Sequence, residues 1–411
     1  MKLKYHTRPD ESQFPAISDP GLFLVTIPCY GEEKVMDTLR SLDGCGTKDQ
    51  KTVVLLLINS ECGADSAVMD LNQQAYDDSL LATFEHLSVL PLWVYDIPKK
   101  IAGVGLARRL AMNWAASLYD QNGLSAAPIA CLDADSEVAE NYIREITHFF
   151  DRHPECDAVS IYYEHPIEKC SNRKLTEGII DYELHLRYFT EAQKWAGHPH
   201  AYQTVGSSMA VRSESYLKQG GMNKRKAGED FYFLHKFSRI GTLRELNSTA
   251  VYPGIRVSDR VPFGTGRALL DMVGGKEWDT YSPEFFFELK QVISCIDQSF
   301  GQESSELFNS FPEGFKNYLR HSMDFERIHA TISGNTSQSD SYLKRFYSWF
   351  DAFQVFKYAH YFRDFCRPNV EVYDGVTRFF KKAEGLEFQG DRRDLLYWLR
   401  KRCRESPRHL L

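Results

Sequence analysis

The chain of 411 residues has 49 basic against 56 acidic side chains, a net charge of −7, with 43% hydrophobic and 26% charged residues. Such a composition belongs to an ordinary soluble globular protein and excludes disorder, collagen and coiled coil as whole-chain answers. The acidic balance argues against a general nucleic-acid binder, because that binding is driven by phosphate neutralisation. No apolar run approaches the ~18–20 residues needed to cross a bilayer; the longest, Val53 to Ile58, is strand-sized. Met1 to Gln13 is polar, so no signal peptide is expected. The nine cysteines are odd in number and form no CxxC pair, which reads as reduced thiols in the cytoplasm.

From Leu22 onward, short apolar runs alternate with amphipathic stretches. Leu22 to Ile27 is a predicted strand ending in Pro28, and Glu32 to Leu42 a helix. Val53 to Ile58 reads as a strand buried on both faces. Val68 to Phe84 is helical, Val89 to Tyr95 a strand interrupted by Pro91, and Gly105 to Tyr119 a helix. Ile129 to Leu132 is a strand, Ala139 to Phe150 a helix and Ala158 to Tyr162 a strand. This order implies a mostly parallel sheet with helices on both faces, whose ligands bind at the carboxyl ends of the strands. Lys174 to Ile255 mixes helix with short strands, including a strand at Ser207 to Val211 and a helix at Asp230 to Ser238. Beyond about Leu270 aromatic-rich helices take over: Tyr281 to Ile296, Tyr342 to Phe365 and Asp391 to Cys403, with a Ser-rich loop at Ser333 to Ser341. The expected division is an α/β domain over 1–270 and a helical region over 271–411.

The chemistry concentrates at predicted strand ends. Asp133 and Asp135 follow the apolar run Ile129 to Leu132 with one residue between them. Two such carboxylates can share Mg²⁺ or Mn²⁺ with substrate phosphates, or can cap the next helix instead. Pro28, Tyr30 and Glu32 form a turn between the first strand and helix, able to hold a nucleotide or to serve as an ordinary loop. Gly103 to Arg109 resembles the start of a dinucleotide fingerprint. Arg108 stands at its last position, however, and the preceding strand stops too early, so a nicotinamide cofactor is not expected. A glycine turn opening a helix that carries Arg108 and Arg109 suits a phosphate neighbour, or leaves both arginines as solvated charges on the helix surface. Glu229 and Asp230 at a helix start can supply a general base or a helix cap. Pro253 to Arg267, with Arg256, Arg260 and three glycines, reads as a mobile loop able to close over an anion, or as a static connection. His165, His185, His198, His200 and His235 are scattered and assign nothing.

Taken in this order, the motifs over Leu22 to Tyr252 resemble a GT-A glycosyltransferase, specifically the large family 2 group. Pro28-Cys29-Tyr30-Gly31-Glu32 matches the family's opening turn with glycine in place of asparagine. Gly103 to Arg108 matches its glycine turn and Ala-Arg helix, Asp133 and Asp135 its DxD, and Glu229 with Asp230 its Glu-Asp pair. Asn59-Ser60-Glu61 departs from the acidic nucleoside-contacting motif at the same place. The resemblance implies a nucleotide-diphosphate sugar donor held by Pro28, Tyr30, Glu32, Asn59, Gly103, Arg108, Asp133 and Arg260, with Mn²⁺ or Mg²⁺ on Asp135 and Asp133. It further implies an unidentified hydroxyl acceptor (saccharide, lipid-linked or small molecule) and inverting transfer with Asp230 as base beside Glu229. A retaining enzyme, a nucleotidyltransferase and a catalytically silent sugar-nucleotide-binding protein are the alternatives. The expected location is the cytoplasm, with or without peripheral attachment to a membrane.

Overall fold

The structure is a computed structural model that describes the backbone of residues 6–8 and the whole of residues 21–46, 50–260 and 264–405. The remaining parts of Met1 to Gln13, and positions 261–263 of the loop read above, lie outside the described residues. The chain divides into two compact units: 1–171, 204–270 and 404–411 form the first, and 172–203 with 271–403 the second.

The first unit alternates strands and helices: β1 (His6–Arg8), β2 (Phe23–Cys29), α1 (Val35–Asp43), β3 (Thr52–Glu61), α2 (Ser66–Leu81), β4 (Leu87–Ile97), α3 (Val104–Gln121), β5 (Pro128–Cys131), β6 (Glu137–Val138), α4 (Tyr142–Arg152) and β7 (Ala158–Tyr163). After α5 (Arg173–Ala196), which belongs to the second unit, come β8 (Met209–Arg212), α6 (Ser213–Lys218), α7 (Glu229–Ile240), β9 (Leu243–Tyr252) and α8 (Thr265–Val273). The strands form one nine-stranded sheet ordered β1-β4-β3-β2-β5-β8-β7-β9-β6. Its β4-β3-β2-β5 half is parallel, as is β7 with β9, whereas β8 runs antiparallel between β5 and β7. The α/β class and helical C-terminal region expected from the sequence are therefore observed.

Every residue of β3 from Thr52 to Ser60 is buried, which requires cover on both faces of the sheet. Tyr119 of α3 ties two strands together: its hydroxyl accepts from Leu24 N at 2.8 Å and donates to Pro128 O at 2.9 Å. Pro91 is tolerated within β4 because it lies outside Trp93–Tyr95, the stretch that pairs with β1, so its missing N–H interrupts no ladder there.

The second unit holds α5, β10 (Asp279–Thr280), α9 (Pro283–Asp297), α10 (Ser304–Ser310), α11 (Glu313–Ser322), α12 (Phe325–Ser333), α13 (Ser339–Trp349), α14 (Ala352–Phe365), β11 (Val370–Glu371), α15 (Val372–Glu384) and most of α16 (Arg392–Glu405). Three sequence expectations need amending. Asn172 to Gln203 groups with this unit although it precedes residue 270. The single helical stretch Tyr342 to Phe365 breaks in two, because the Asp351 side chain accepts from Gln354 N at 3.0 Å and starts a new helix. Thr265 to Arg267 begin α8 rather than continuing a loop.

Inside this unit Glu183 of α5 is fully buried. It accepts from Arg187 Nε at 2.7 Å and from Arg400 Nε and a terminal nitrogen at 2.8 Å each. Two buried guanidiniums thus share one carboxylate. Glu183→Ala should cost about 3–5 kcal/mol, the range for removing one partner of a buried ion pair. A fall in the urea midpoint at unchanged m-value is the expected result, and an unchanged midpoint would refute it.

Candidate functional site

Strand β5 ends at Cys131, and the next residues carry the two carboxylates to the sheet's carboxyl edge. The loop is held on both sides. Leu132 N donates to Thr26 O at 3.1 Å, Thr38 Oγ1 of α1 donates to Ala134 O at 2.9 Å, and Ser136 N donates to Asp133 O at 3.1 Å. Ser136 is buried, and its hydroxyl has no partner among the described residues.

Arg108 joins three separate parts of the first unit. It lies in the first turns of α3 and is 4% exposed, and its two terminal nitrogens donate to Asp133 Oδ1 and Glu229 Oε1. Burial works against the cation, but Asp133 and Glu229, with Asp230 beside them, raise its pKa above the ordinary arginine value. Its Nε–H is buried without a partner among the described residues, a donor that a ligand oxygen can satisfy. The space for this guanidinium exists because residue 206 is glycine: a Cβ there would fall on Arg108. Burial raises the pKa of both Glu229 and Asp230, and Arg108 offsets the shift only in part. Asp230 Oδ1 also accepts from Phe231 N at 2.7 Å, which fixes the carboxylate at the start of α7.

A second ionic group surrounds the other aspartate. Arg256 Nε donates to Asp135 Oδ2 at 2.7 Å, and one of its terminal nitrogens lies 3.0 Å from Glu32 Oε2. Burial raises the pKa of Asp135 and of Glu32, with Arg256 opposing it in each case. Arg260 donates to Gly31 O at 2.8 Å and stands over the Tyr30 ring, 5.3 Å from its centroid. The arginines of the loop after β9 are thus already engaged, a pairing that the mobile-loop reading did not specify.

Beside them, Tyr30 donates to Glu61 Oε1 at 3.1 Å and Asn59 Nδ2 donates to Cys29 O at 2.8 Å. Asn72 of α2 links the two segments, accepting from Gly31 N at 2.8 Å and donating to Asn59 O at 2.9 Å. Pro28 sits within β2 opposite Leu57, and Gly103 caps α3 against Lys226. The predicted residues therefore fall into an Arg108 group with Asp133, Glu229 and Asp230, and an Asp135 group with Glu32 and Arg260. Tyr30 and Asn59 lie beside the second. Sequence reasoning missed Asn72, Gly206 and the pairing of Arg256 with Asp135, none of which carries a local signal. Arg109 turns away from the carboxylates and donates to Gly220 O at 3.1 Å.

Two outcomes follow. Gly206→Ala should displace Arg108 and cost about 1–3 kcal/mol of stability, the range for forcing extra volume into a packed site; thermal unfolding measures it. Because the folded state holds protons on Glu229 and Asp230 to higher pH than the unfolded chain, their contribution to stability is full below the ordinary carboxylate pKa of about 4. It is lost as pH rises through the raised values. Glu229→Gln should flatten that part of the profile, seen as a smaller difference in Tm between pH 5 and pH 8. An equally steep decline would show that Glu229 does not carry it.

No protein-family model matches the chain, and no curated protein does. Among solved structures, S. aureus TarS 1–349 in complex with UDP-GlcNAc is similar at a TM-score of 0.38 and 14% identity, over 90% of this chain and 93% of that one. The complex of TarS 1–349 with UDP gives 0.37 and 13% over the same shares. TarS itself gives 0.35 and 13%, over 82% of this chain and 54% of that one.

Proposed function

We propose that the chain is a GT-A-type glycosyltransferase that moves a sugar from a nucleotide-diphosphate sugar to a hydroxyl acceptor with inversion. The observation that carries this reading is the convergence of Asp133, Glu229 and Asp230 on one buried arginine at the sheet's carboxyl edge, with one N–H of that arginine unpaired. That N–H is a donor which a ligand oxygen can satisfy.

Asp230 takes the proton of the acceptor hydroxyl as its oxygen attacks the anomeric carbon. The bond from that carbon to the diphosphate oxygen breaks, and the diphosphate leaves with the electron pair. Arg108 keeps Asp133 and the Glu229–Asp230 pair in register during this step. Arg260, over Tyr30, and Arg256 supply positive charge on the donor side. The Tyr30–Glu61 and Asn59–Asn72 contacts shape the turn where the nucleoside would lie.

The residues around Asp135 fit a divalent cation. Asp135 Oδ2 and Glu32 Oε2 reach the same guanidinium, so a positive charge already has a seat there. Burial raises the pKa of both carboxylates despite Arg256. No group of three or more His, Cys, Asp or Glu suited to a metal occurs among the described residues. Asp135 and Asp133 would therefore hold Mg²⁺ or Mn²⁺ together with donor phosphates and water, the usual arrangement for such ions. When bound, the cation would neutralise charge on the departing diphosphate.

The proposal is tested by incubating the protein with a panel of nucleotide sugars, UDP-GlcNAc included, with and without Mn²⁺. Thermal shift and nucleotide release are the readouts, since a ligand of the native state raises Tm. No shift and no release across the panel would overturn the reading. A shift without release from any donor, in the presence of acceptors, would leave a binding protein. Asp230→Asn should keep the donor-induced shift while lowering turnover about 10²–10⁴-fold, the span of a general base. A product with retained anomeric configuration would remove that role. Asp135→Asn should abolish the Mn²⁺-dependent part of the shift. In the wild type the acid limb of kcat/KM should lie above the ordinary carboxylate range, because Asp230 must lose a proton that burial helps it keep.

A further inference from the structure

Two loops bring five cations together beside the start of α3. Lys99 and Lys100 lie between β4 and α3, and Lys224, Arg225 and Lys226 lie between α6 and α7; all five are exposed. The loops touch. Lys226 Nζ donates to Lys99 O at 3.0 Å, and the Arg225 guanidinium stacks on the Tyr232 ring, 3.7 Å from its centroid. Gly105 makes the approach possible, because a Cβ there would meet Asn223 O at 2.7 Å and overlap the Arg225 carbonyl.

The second loop is held from beneath by further cations. Arg109 donates to Gly220 O at 3.1 Å, and Lys236 Nζ donates to Gln219 O and Gly221 O at 2.9 Å each. None of the five outer residues forms an ion pair with a carboxylate among the described residues, and Asp96 at the end of β4 pairs with none of them. In a chain of net charge −7, unbalanced positive charge this dense marks a surface for an anion. Its position is next to the carboxylates at the start of α7. Lys226 precedes Glu229 by three residues, and Arg108 follows Gly103 by roughly 7 Å of helix at 1.5 Å per residue. The surface therefore adjoins the start of α7 with Glu229 and Asp230, whereas Arg256 and Arg260 lie toward the turn after β2.

We propose that this surface binds a soluble acceptor chain carrying repeated anionic groups, phosphate or carboxylate, and delivers one of its hydroxyls to Asp230. The assignment rests on the glycosyl-transfer reading for what happens to that hydroxyl, but not for the binding. Four of the five cations are lysines, point charges without the planar fork that selects one oxyanion geometry, which suits a repeating charge more than a single recognised group. A membrane surface fits less well. Ile101 is the one exposed large apolar side chain on these two loops, and insertion into an interface needs a broader apolar face.

The test measures binding without donor. Fluorescence anisotropy with labelled inorganic polyphosphate and labelled polygalacturonate compares the wild type with Lys100→Glu/Lys224→Glu. A control, Lys51→Glu/Arg239→Glu, makes the same charge change elsewhere on the first unit. At least one chain should bind the wild type with an affinity that falls as NaCl rises. The first double variant should lose at least tenfold, and the control less than twofold. Circular dichroism and Tm of each variant show that the fold is retained. Equal losses in both variants would mean that net charge alone is responsible, and would overturn the assignment. So would poly(U) RNA binding as tightly as either chain, or binding to phosphatidylglycerol vesicles but to neither chain. If a chain binds as described while no nucleotide sugar does, glycosyl transfer fails and the anion surface stands. If donors bind and react but neither chain binds, the reverse holds.

Discussion

The guanidinium of Arg108 has almost no contact with water, and a charge in that position is stable only if carboxylates come to it. Moving an ion of this size out of water costs several kcal/mol even after relaxation, and removing one partner of such a group leaves the other charge uncompensated. That constraint organises the first unit. It requires the loop after β5 to present Asp133, the start of α7 to present Glu229, and position 206 to be small enough to leave room. Three segments far apart in the chain meet because one cation has nowhere else to go. The second unit inverts the arrangement, with the carboxylate of Glu183 buried between Arg187 and Arg400.

The same constraint explains the carboxylates' protonation. Glu229 and Asp230 stand at a helix start beside an arginine, and both features favour the charged form. Burial outweighs them, so both pKa values rise rather than fall. A carboxylate held in this way retains affinity for a proton while lying beside a cation that limits how far the shift can go. The upward shift comes from packing rather than from any one residue.

Much of this was legible in the sequence where the signal is local. An apolar run followed by Asp133 and Asp135 announces a strand end, since a buried strand must release polar residues only where the sheet stops. The helix carrying Arg108 was legible from its apolar period and the glycines before it. What stayed hidden depends on tertiary neighbours. Nothing near Arg256 indicates that it reaches Asp135, 121 positions away. Helical periodicity of Arg173 to Ala196 shows which of its faces are apolar, not that the covering helices come from beyond residue 270. The split at Asp351 was readable in principle from an aspartate at a helix start, but the aromatic period runs through it without interruption.

The two arginine groups differ in how freely they can rearrange. Arg108 is 4% exposed and Glu229 3%, so that pair cannot separate without leaving both charges dry. Arg256 is 37% exposed, against 15% for Asp135 and 7% for Glu32. It can turn into water while the carboxylates stay in place. Asp135 would then be placed to hold a divalent cation, and Arg256 would be free to meet donor phosphates. In the proposed transfer, the fixed pair would define where the reacting atoms lie, and the exchangeable one would accommodate the charge of the donor. On that reading Asp133, held by Arg108, would keep its place as one ligand while Asp135 exchanges Arg256 for the cation, which is a physical reason for two carboxylates to stand one residue apart at the end of one strand.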